Sequence, residues 1–129
     1  MHRTFLIIAA LFGALAVALG AFGAHGLQKV AALETVEIYE TAVRYQFYHT
    51  FALLAVGVLF IWYPGKLLSL SGLFFIIGVL LFSGSLYLIT FLKIAEKIIP
   101  TLVGIITPIG GLFLIAGWLL LLFSLLTKR

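Results

Sequence analysis

Four long stretches of almost uninterrupted apolar residues run along the chain, separated by short segments that carry most of its charges. A helix needs ~20 predominantly apolar residues to cross the hydrocarbon layer of a bilayer, because each residue advances it by about 1.5 Å. We therefore predict four membrane-spanning helices, at about residues 5–24, 45–62, 67–92 and 104–126. The first stretch is longer than the apolar core of a signal peptide, so we expect a retained helix.

The second stretch is the least apolar of the four, because polar side chains interrupt its first turns. Residues 34–44, just upstream, contain few helix breakers. We predict an interfacial helical extension that begins near Thr35 and then enters the bilayer. Glu40 precedes Arg44 by one turn, so we expect Arg44 to pair with Glu40 or Glu37, or to contact a lipid phosphate.

This pattern predicts an all-α fold, an integral membrane four-helix bundle of up-down topology formed by a single domain of residues 1–129. The composition agrees, since 64% of the residues are hydrophobic and 9% are charged, against roughly a quarter charged in soluble domains. Residues 93–100 are expected to form an interfacial turn of helix. Pro108 is expected to kink the fourth helix or to mark its start.

The basic residues exclude one class of function and leave the membrane orientation open. The net charge is +4, but the lysines and arginines are scattered between the ends of the apolar stretches, so we predict no nucleic-acid binding. An even number of crossings places both termini on one side, with four basic residues on that side and four on the other. The positive-inside rule therefore favours neither orientation, and we favour cytoplasmic termini on weaker grounds. The chain has no cysteine and so no disulfide or thiolate chemistry.

Thirteen glycines recur along the apolar stretches at helical spacings. Small residues allow helices to approach closely inside lipid, where apolar burial cannot drive association. We predict that the glycines serve packing, within the chain or against a second copy or another membrane protein. The alternative is that Gly110 and Gly111, just after Pro108, form a hinge or expose backbone to a ligand.

The up-down path gathers polar side chains at the membrane face opposite the termini. We predict that they form a polar pocket or a hydrogen-bond network about one leaflet deep, because an ionisable group that faces lipid is costly. The candidate residues of this polar cluster are His25, Gln28, Glu37, Glu40, Arg44, Tyr45, Gln46, His49, Ser83, Tyr87 and Thr107.

Two interpretations apply to the histidines of this cluster. His49 is either a hydrogen-bonded packing residue, which we favour, or a proton carrier. His25 is either a helix cap or interfacial residue, which we again favour, or a pocket ligand. The spacing of the two with Glu37 matches no zinc signature, so we predict no metal site. The serines have no paired base, and we predict no catalytic residue and no cofactor.

Four motifs, in order along the chain, resemble those of the small membrane proteins called domain of unknown function 423. The motifs are GAFGAHGL at residues 20–27, YQFYHT at 45–50, FSGSLYL at 82–88, and ITPIGG at 106–111 followed by Ala116-Gly117-Trp118. One small departure is Thr50, where alanine is common in the family. The resemblance implies a four-helix protein of the bacterial inner membrane and implies no reaction.

Three classes of function are compatible with the sequence. The favoured one is a structural or accessory membrane protein whose polar network locks the helices together. The alternative is a binder or carrier of a small molecule, a lipid headgroup or a proton at the polar cluster. An enzyme that acts on lipid is third, and we expect no enzymatic activity because no known catalytic geometry is present.

Overall fold

The structure of the protein, a computed structural model, describes residues 1–127 and leaves Lys128 and Arg129 of the predicted domain outside the described residues. Within that range every regular element is helical. The elements are α1 (Arg3–His25), a short 3₁₀ turn (Leu27–Lys29), α2 (Leu33–Leu59), α3 (Lys66–Ile94) and α4 (Thr101–Thr127). The predicted all-α class is confirmed.

Among the described residues, three helical stretches are long and apolar enough to cross a membrane, namely Arg3–Lys29, Lys66–Ile94 and Thr101–Thr127. They correspond to the first, third and fourth predicted spans. α2 is equally long, with 27 residues, but its first half carries three glutamates and an arginine. α2 is therefore not apolar enough to be identified as a membrane span from its composition, and the second predicted span stays a prediction.

The ends of the helices differ from the predicted ones in several places. α2 is one continuous helix that starts two residues before Thr35 and ends at Leu59, ahead of the turn that leads to Pro64. α3 ends at Ile94, and residues 95–100 form a non-helical connection, so the predicted interfacial turn of helix is absent there.

α4 begins at Thr101, before the predicted start, and Pro108 lies inside it. Pro108 therefore does not mark the start of the helix. A proline inside a helix removes one backbone donor, and such a loss is tolerated in helices that pack against neighbours. The first turn forms upstream instead, where the backbone N–H of Val103 donates to the Pro100 carbonyl at 3.0 Å.

Each helix packs against the next one in antiparallel fashion. The contacts show this because positions further along one helix meet positions further back along its neighbour. The paired positions are Gly13 with Thr50 and Gly20 with Val43, Ala42 with Ser83 and His49 with Phe75, and Ser71 with Gly117 and Ser85 with Thr107. The α1–α2 and α3–α4 connections consequently lie at one end of the molecule, which we call the charged end, and Arg3 lies at the other, the terminal end.

Two apolar clusters fill the interior. The larger one draws on all four helices and includes Phe12, Leu53, Phe75 and Leu114. The smaller one, around Leu27, Val36 and Tyr39, closes the charged end. Along α2, the buried Gln46, His49 and Thr50 lie between the residues that belong to these two clusters.

At Gly110 the α4 helix lies directly against the backbone of α3. A Cβ atom placed there would lie 2.8 Å from the Cα of Phe82 and closer still to its backbone nitrogen. Because both atoms belong to the backbone, no side-chain rotation can relieve that clash. α4 runs unbroken through Gly110 and Gly111, which supports packing over a hinge for this pair.

Replacing Gly110 by alanine is expected to lower the stability of the helix pair by about 1–3 kcal/mol, because the added methyl group must push the Phe82 backbone away. Gly104→Ala is the matched control, since it lies in the same helix and nothing lies within 4 Å of the added Cβ. Thermal unfolding of the purified variants in detergent measures the difference. Equal midpoints for the two variants would contradict the packing role.

Candidate functional site

Gln46 lies at the midpoint of α2 and joins three helices through its side-chain amide. It is buried, with 4% of its surface exposed. Its Nε2 donates to the carbonyl of Phe12 in α1 at 2.8 Å, and its Oε1 accepts from the hydroxyl of Tyr87 in α3 at 2.6 Å. Both ends of the amide are therefore used, and its orientation is fixed by its two partners.

Two further side chains tie α2 to its neighbours through backbone carbonyls. The Ser83 hydroxyl of α3 donates to the Ala42 carbonyl at 2.7 Å. The Tyr39 hydroxyl donates to the Leu19 carbonyl of α1 at 2.6 Å. A carbonyl inside a helix has a second lone pair, so it can accept these bonds and still keep its own backbone hydrogen bond.

His49 links α2 to α4, and its two contacts define one tautomer. Its Nδ1 lies 2.7 Å from the Tyr45 carbonyl, which can only accept, so Nδ1 carries the proton. Its Nε2 then accepts from the indole N–H of Trp118 at 3.1 Å. A second proton on Nε2 would face that N–H donor, so proton uptake would require the bond to Trp118 to break.

α3 and α4 are joined by hydroxyl groups. The Ser85 hydroxyl donates to the Phe82 carbonyl at 2.9 Å and lies 2.6 Å from the Thr107 hydroxyl. Since Ser85 has one proton to donate, Thr107 is the donor to Ser85. Nearer the terminal end, the Ser71 hydroxyl donates to the Gly117 carbonyl at 2.8 Å.

Within residues 1–127, no buried side-chain nitrogen or oxygen lacks a hydrogen-bond partner. The serine hydroxyls donate to carbonyls or lie against another hydroxyl, with no base beside them. In the same part of the chain, no three His, Asp or Glu side chains are grouped so as to hold a metal ion. The interior contains a completed network of hydrogen bonds across all four helices.

The structure divides the predicted polar cluster into two groups. Six of its residues belong to the network, and they are Tyr45 through its carbonyl, Gln46, His49, Ser83, Tyr87 and Thr107. The other five are exposed toward the charged end, and they are His25, Gln28, Glu37, Glu40 and Arg44. The network lies about halfway along the helices, around Gln46 of α2.

The predicted ion pair of Arg44 does not form, since neither Glu40 nor Glu37 lies within bonding distance of it. The acidic partner used at this end of the described residues is Glu34, which pairs with Lys93 of α3 at 3.2 Å. Glu34 lies near the start of α2 and bridges the two connections at the charged end. Arg44 remains exposed.

Four side chains of the network lie outside the predicted set, and they are Tyr39, Ser71, Ser85 and Trp118. Tyr39 lies seven residues before Gln46, which places it on the same face of α2, so helical periodicity was a usable signal. Trp118 lies beside His49, 69 residues away in the sequence. No local pattern indicates that contact.

An open groove runs beside His49 between α2 and α4. It has a volume of about 430 Å³, and Tyr45, Tyr48, Phe82 and Trp118 are among its lining residues. Its wall is mostly aromatic and aliphatic, and both His49 nitrogens are already bonded. The groove therefore presents an apolar surface and little free hydrogen-bonding capacity.

A double-mutant cycle on Gln46 and Tyr87 should reveal their coupling. We expect Gln46→Leu and Tyr87→Phe each to lower stability, with a coupling free energy of about 0.6–2 kcal/mol, as found for hydrogen bonds between membrane helices. Thermal unfolding in detergent provides the four free energies. Tyr48→Phe is the matched control, because Tyr48 is exposed and its hydroxyl makes no hydrogen bond to residues 1–127. Additive effects of the two substitutions would show that the bond contributes nothing.

Comparison with known proteins identifies relatives over nearly the full length of the chain. The profile of the family described as "Protein of unknown function (DUF423)" matches residues 19–111. A UPF0382 membrane protein of Staphylococcus haemolyticus is 39% identical over 125 residues, which cover 95% of this chain and 94% of the relative. No solved structure gives a significant match.

Two further relatives come from distant bacteria. The UPF0382 membrane protein YwdK of Bacillus subtilis is 35% identical over 127 residues, covering 95% of both chains. The UPF0382 inner membrane protein YgdD of Escherichia coli is 38% identical over 125 residues, covering 93% of this chain and 87% of the relative. With these matches and the resemblance of its four motifs, the chain belongs to the DUF423 family of membrane proteins.

Proposed function

We propose that all four helices cross the membrane, α2 included. α2 runs antiparallel to α1 and α3 along most of their length, from Tyr39 beside Gly23 to Gly57, whose carbonyl accepts from the His2 backbone N–H at 2.8 Å. Its central polar side chains point inward and are satisfied. Its outward positions from Tyr48 onward are apolar or aromatic, such as Phe51 and Leu54. A helix so arranged meets lipid with an apolar face, whatever its mean hydropathy.

The function that the geometry supports best is structural or accessory. We further propose that the protein lies in a plasma membrane with both termini in the cytoplasm. The observation that carries this proposal is the complete pairing of buried polar side chains within residues 1–127. A carrier of protons or polar solutes needs groups that can change partners along a path. Here Gln46 and His49 each have both polar ends bonded to neighbouring groups.

The outer face of α1 supports a partner role for this scaffold. Ala10, Ala14 and Ala18 are exposed and recur every four residues, so another membrane helix could approach closely along this side. A second copy of the chain or another membrane protein would fit such a surface equally well. The proposal is therefore an accessory protein that is itself rigid and offers its outer faces to lipid or protein.

Cysteine accessibility tests the four-span arrangement, because the chain has no native cysteine to interfere. Single cysteines are placed at Thr4, Lys29, Lys66 and Thr127, and intact cells are treated with a membrane-impermeant maleimide. We expect Lys29→Cys to react from outside and the other three to react only after permeabilisation. If Lys29→Cys and Lys66→Cys were labelled from the same side, α2 would not cross.

A proton-flux measurement separates the structural proposal from a proton carrier. The purified protein is reconstituted into liposomes that contain a pH-sensitive dye, and a pH gradient is imposed. We expect the gradient to decay at the same rate as in protein-free liposomes, for both the wild type and His49→Phe. A faster decay with the wild type that His49→Phe abolishes would overturn the structural proposal.

A further inference from the structure

A small cleft opens between the end of α1 and the first half of α2, at the charged end of the molecule. Its volume is about 230 Å³. Gly20, Gly23 and Ala24 form the α1 wall, and Glu40 and Arg44 lie on the α2 side. α1 and α2 approach closely beside the cleft, since a Cβ at Gly23 would lie 2.7 Å from the ring of Tyr39.

Arg44 enters this cleft without an acidic partner among residues 1–127. Its neighbour Val43 packs beside Gly20, five residues before the end of α1 at His25. At 1.5 Å per residue, Arg44 therefore lies about 9 Å inside that end. Side chains lean toward the N-terminus of their own helix, and the N-terminus of α2 lies at the charged end. The guanidinium therefore extends toward the nearer headgroup layer. A cation at this depth requires an anionic partner.

Glu40 lies one turn closer to the charged end on the same side of α2, about 6 Å from Arg44 along the helix axis. A positive charge thus lies deeper and a negative charge lies nearer to water. Glu37 extends the negative side outward and shares a second, adjacent cleft with Glu40. From the inside of the cleft towards water, the charges are therefore first positive, at Arg44, and then negative, at Glu40 and Glu37.

Phosphatidylethanolamine has the complementary order. Its phosphate lies next to the glycerol, and its primary ammonium lies further out, with three N–H donors. An anionic headgroup such as phosphatidylglycerol has no cation to offer Glu40 and would be repelled by it. A phosphatidylcholine headgroup ends in a quaternary ammonium, which has no N–H to donate to a carboxylate.

We propose that this cleft binds the headgroup of a phosphatidylethanolamine molecule in the leaflet at the charged end. The Arg44 guanidinium donates to the phosphate oxygens, an arrangement suited to its paired N–H groups. The Glu40 carboxylate accepts from the ammonium group. The inference rests on the proposed four-span arrangement, because that arrangement sets Arg44 at the level of the phosphates.

Native mass spectrometry of the full chain tests this proposal, with an equimolar mixture of dioleoyl phosphatidylethanolamine, phosphatidylglycerol and phosphatidylcholine added in detergent. We expect one phosphatidylethanolamine to be retained in preference to the other two. Arg44→Gln should lower its retention by about fivefold or more, the loss expected for a charge-assisted hydrogen bond. Glu40→Gln should weaken the preference for phosphatidylethanolamine over phosphatidylglycerol. The exchanged variant, Arg44→Glu with Glu40→Arg, keeps the net charge and should lose the preference.

Lys97→Gln and Glu96→Gln are the matched controls, because both residues are exposed at the charged end and lie outside the cleft. They should retain the lipid like the wild type. Equal retention by Arg44→Gln and Lys97→Gln, or a preference for phosphatidylglycerol, would overturn the proposal. Displacement of the lipid by excess soluble glycerophosphoethanolamine, which carries the same phosphate and ammonium groups, would support the headgroup contacts and show that the acyl chains are not required. The cysteine labelling of Lys29 and Lys66 reports separately on the four-span arrangement, so the two proposals can fail independently.

Discussion

The arrangement of this protein depends on the need to satisfy polar side chains within a largely apolar protein. α2 brings an amide, an imidazole and a tyrosine hydroxyl into the interior, where an unpaired polar group is costly. The structure meets this need with partners from the other three helices, among them the Phe12 carbonyl and the Trp118 indole. These bonds constrain how the helices are arranged, because each partner must lie opposite a particular position along α2.

The sequence predicted the elements better than their partners. Apolar runs of the right length located three helices, and the small residues between them indicated close packing. α2 was harder, because its first half carries four charged residues and because Gln46 and His49 lower its apolar character further. The partners of Gln46 and His49 lie on other helices and cannot be read from the sequence. Of the two predictions for Pro108, the one that it marks the start of the fourth helix is wrong, because α4 begins seven residues earlier at Thr101, and the predicted kink stays a prediction.

The polar side chains of the candidate site could be predicted from the sequence, but most of their partners could not. Residues such as Gln46, His49 and Tyr87 are polar within apolar surroundings, so their importance is visible in the sequence. Their partners are backbone carbonyls and a tryptophan far along the chain, and a carbonyl has no sequence signature. Glu40 and Arg44 lie on an exposed face of α2 and are therefore outside the network. Predicting this from the sequence would require knowing which face of α2 each neighbouring helix covers.

The bonds that converge on α2 also bear on how the protein enters the membrane during synthesis. α1 leaves the ribosome first and can serve at once as an acceptor, through the carbonyls of Phe12 and Leu19. The remaining partners of α2, on α3 and α4, are synthesised later. In the proposed four-span arrangement, α2 therefore completes its interhelical hydrogen bonds only after α3 and α4 have been synthesised.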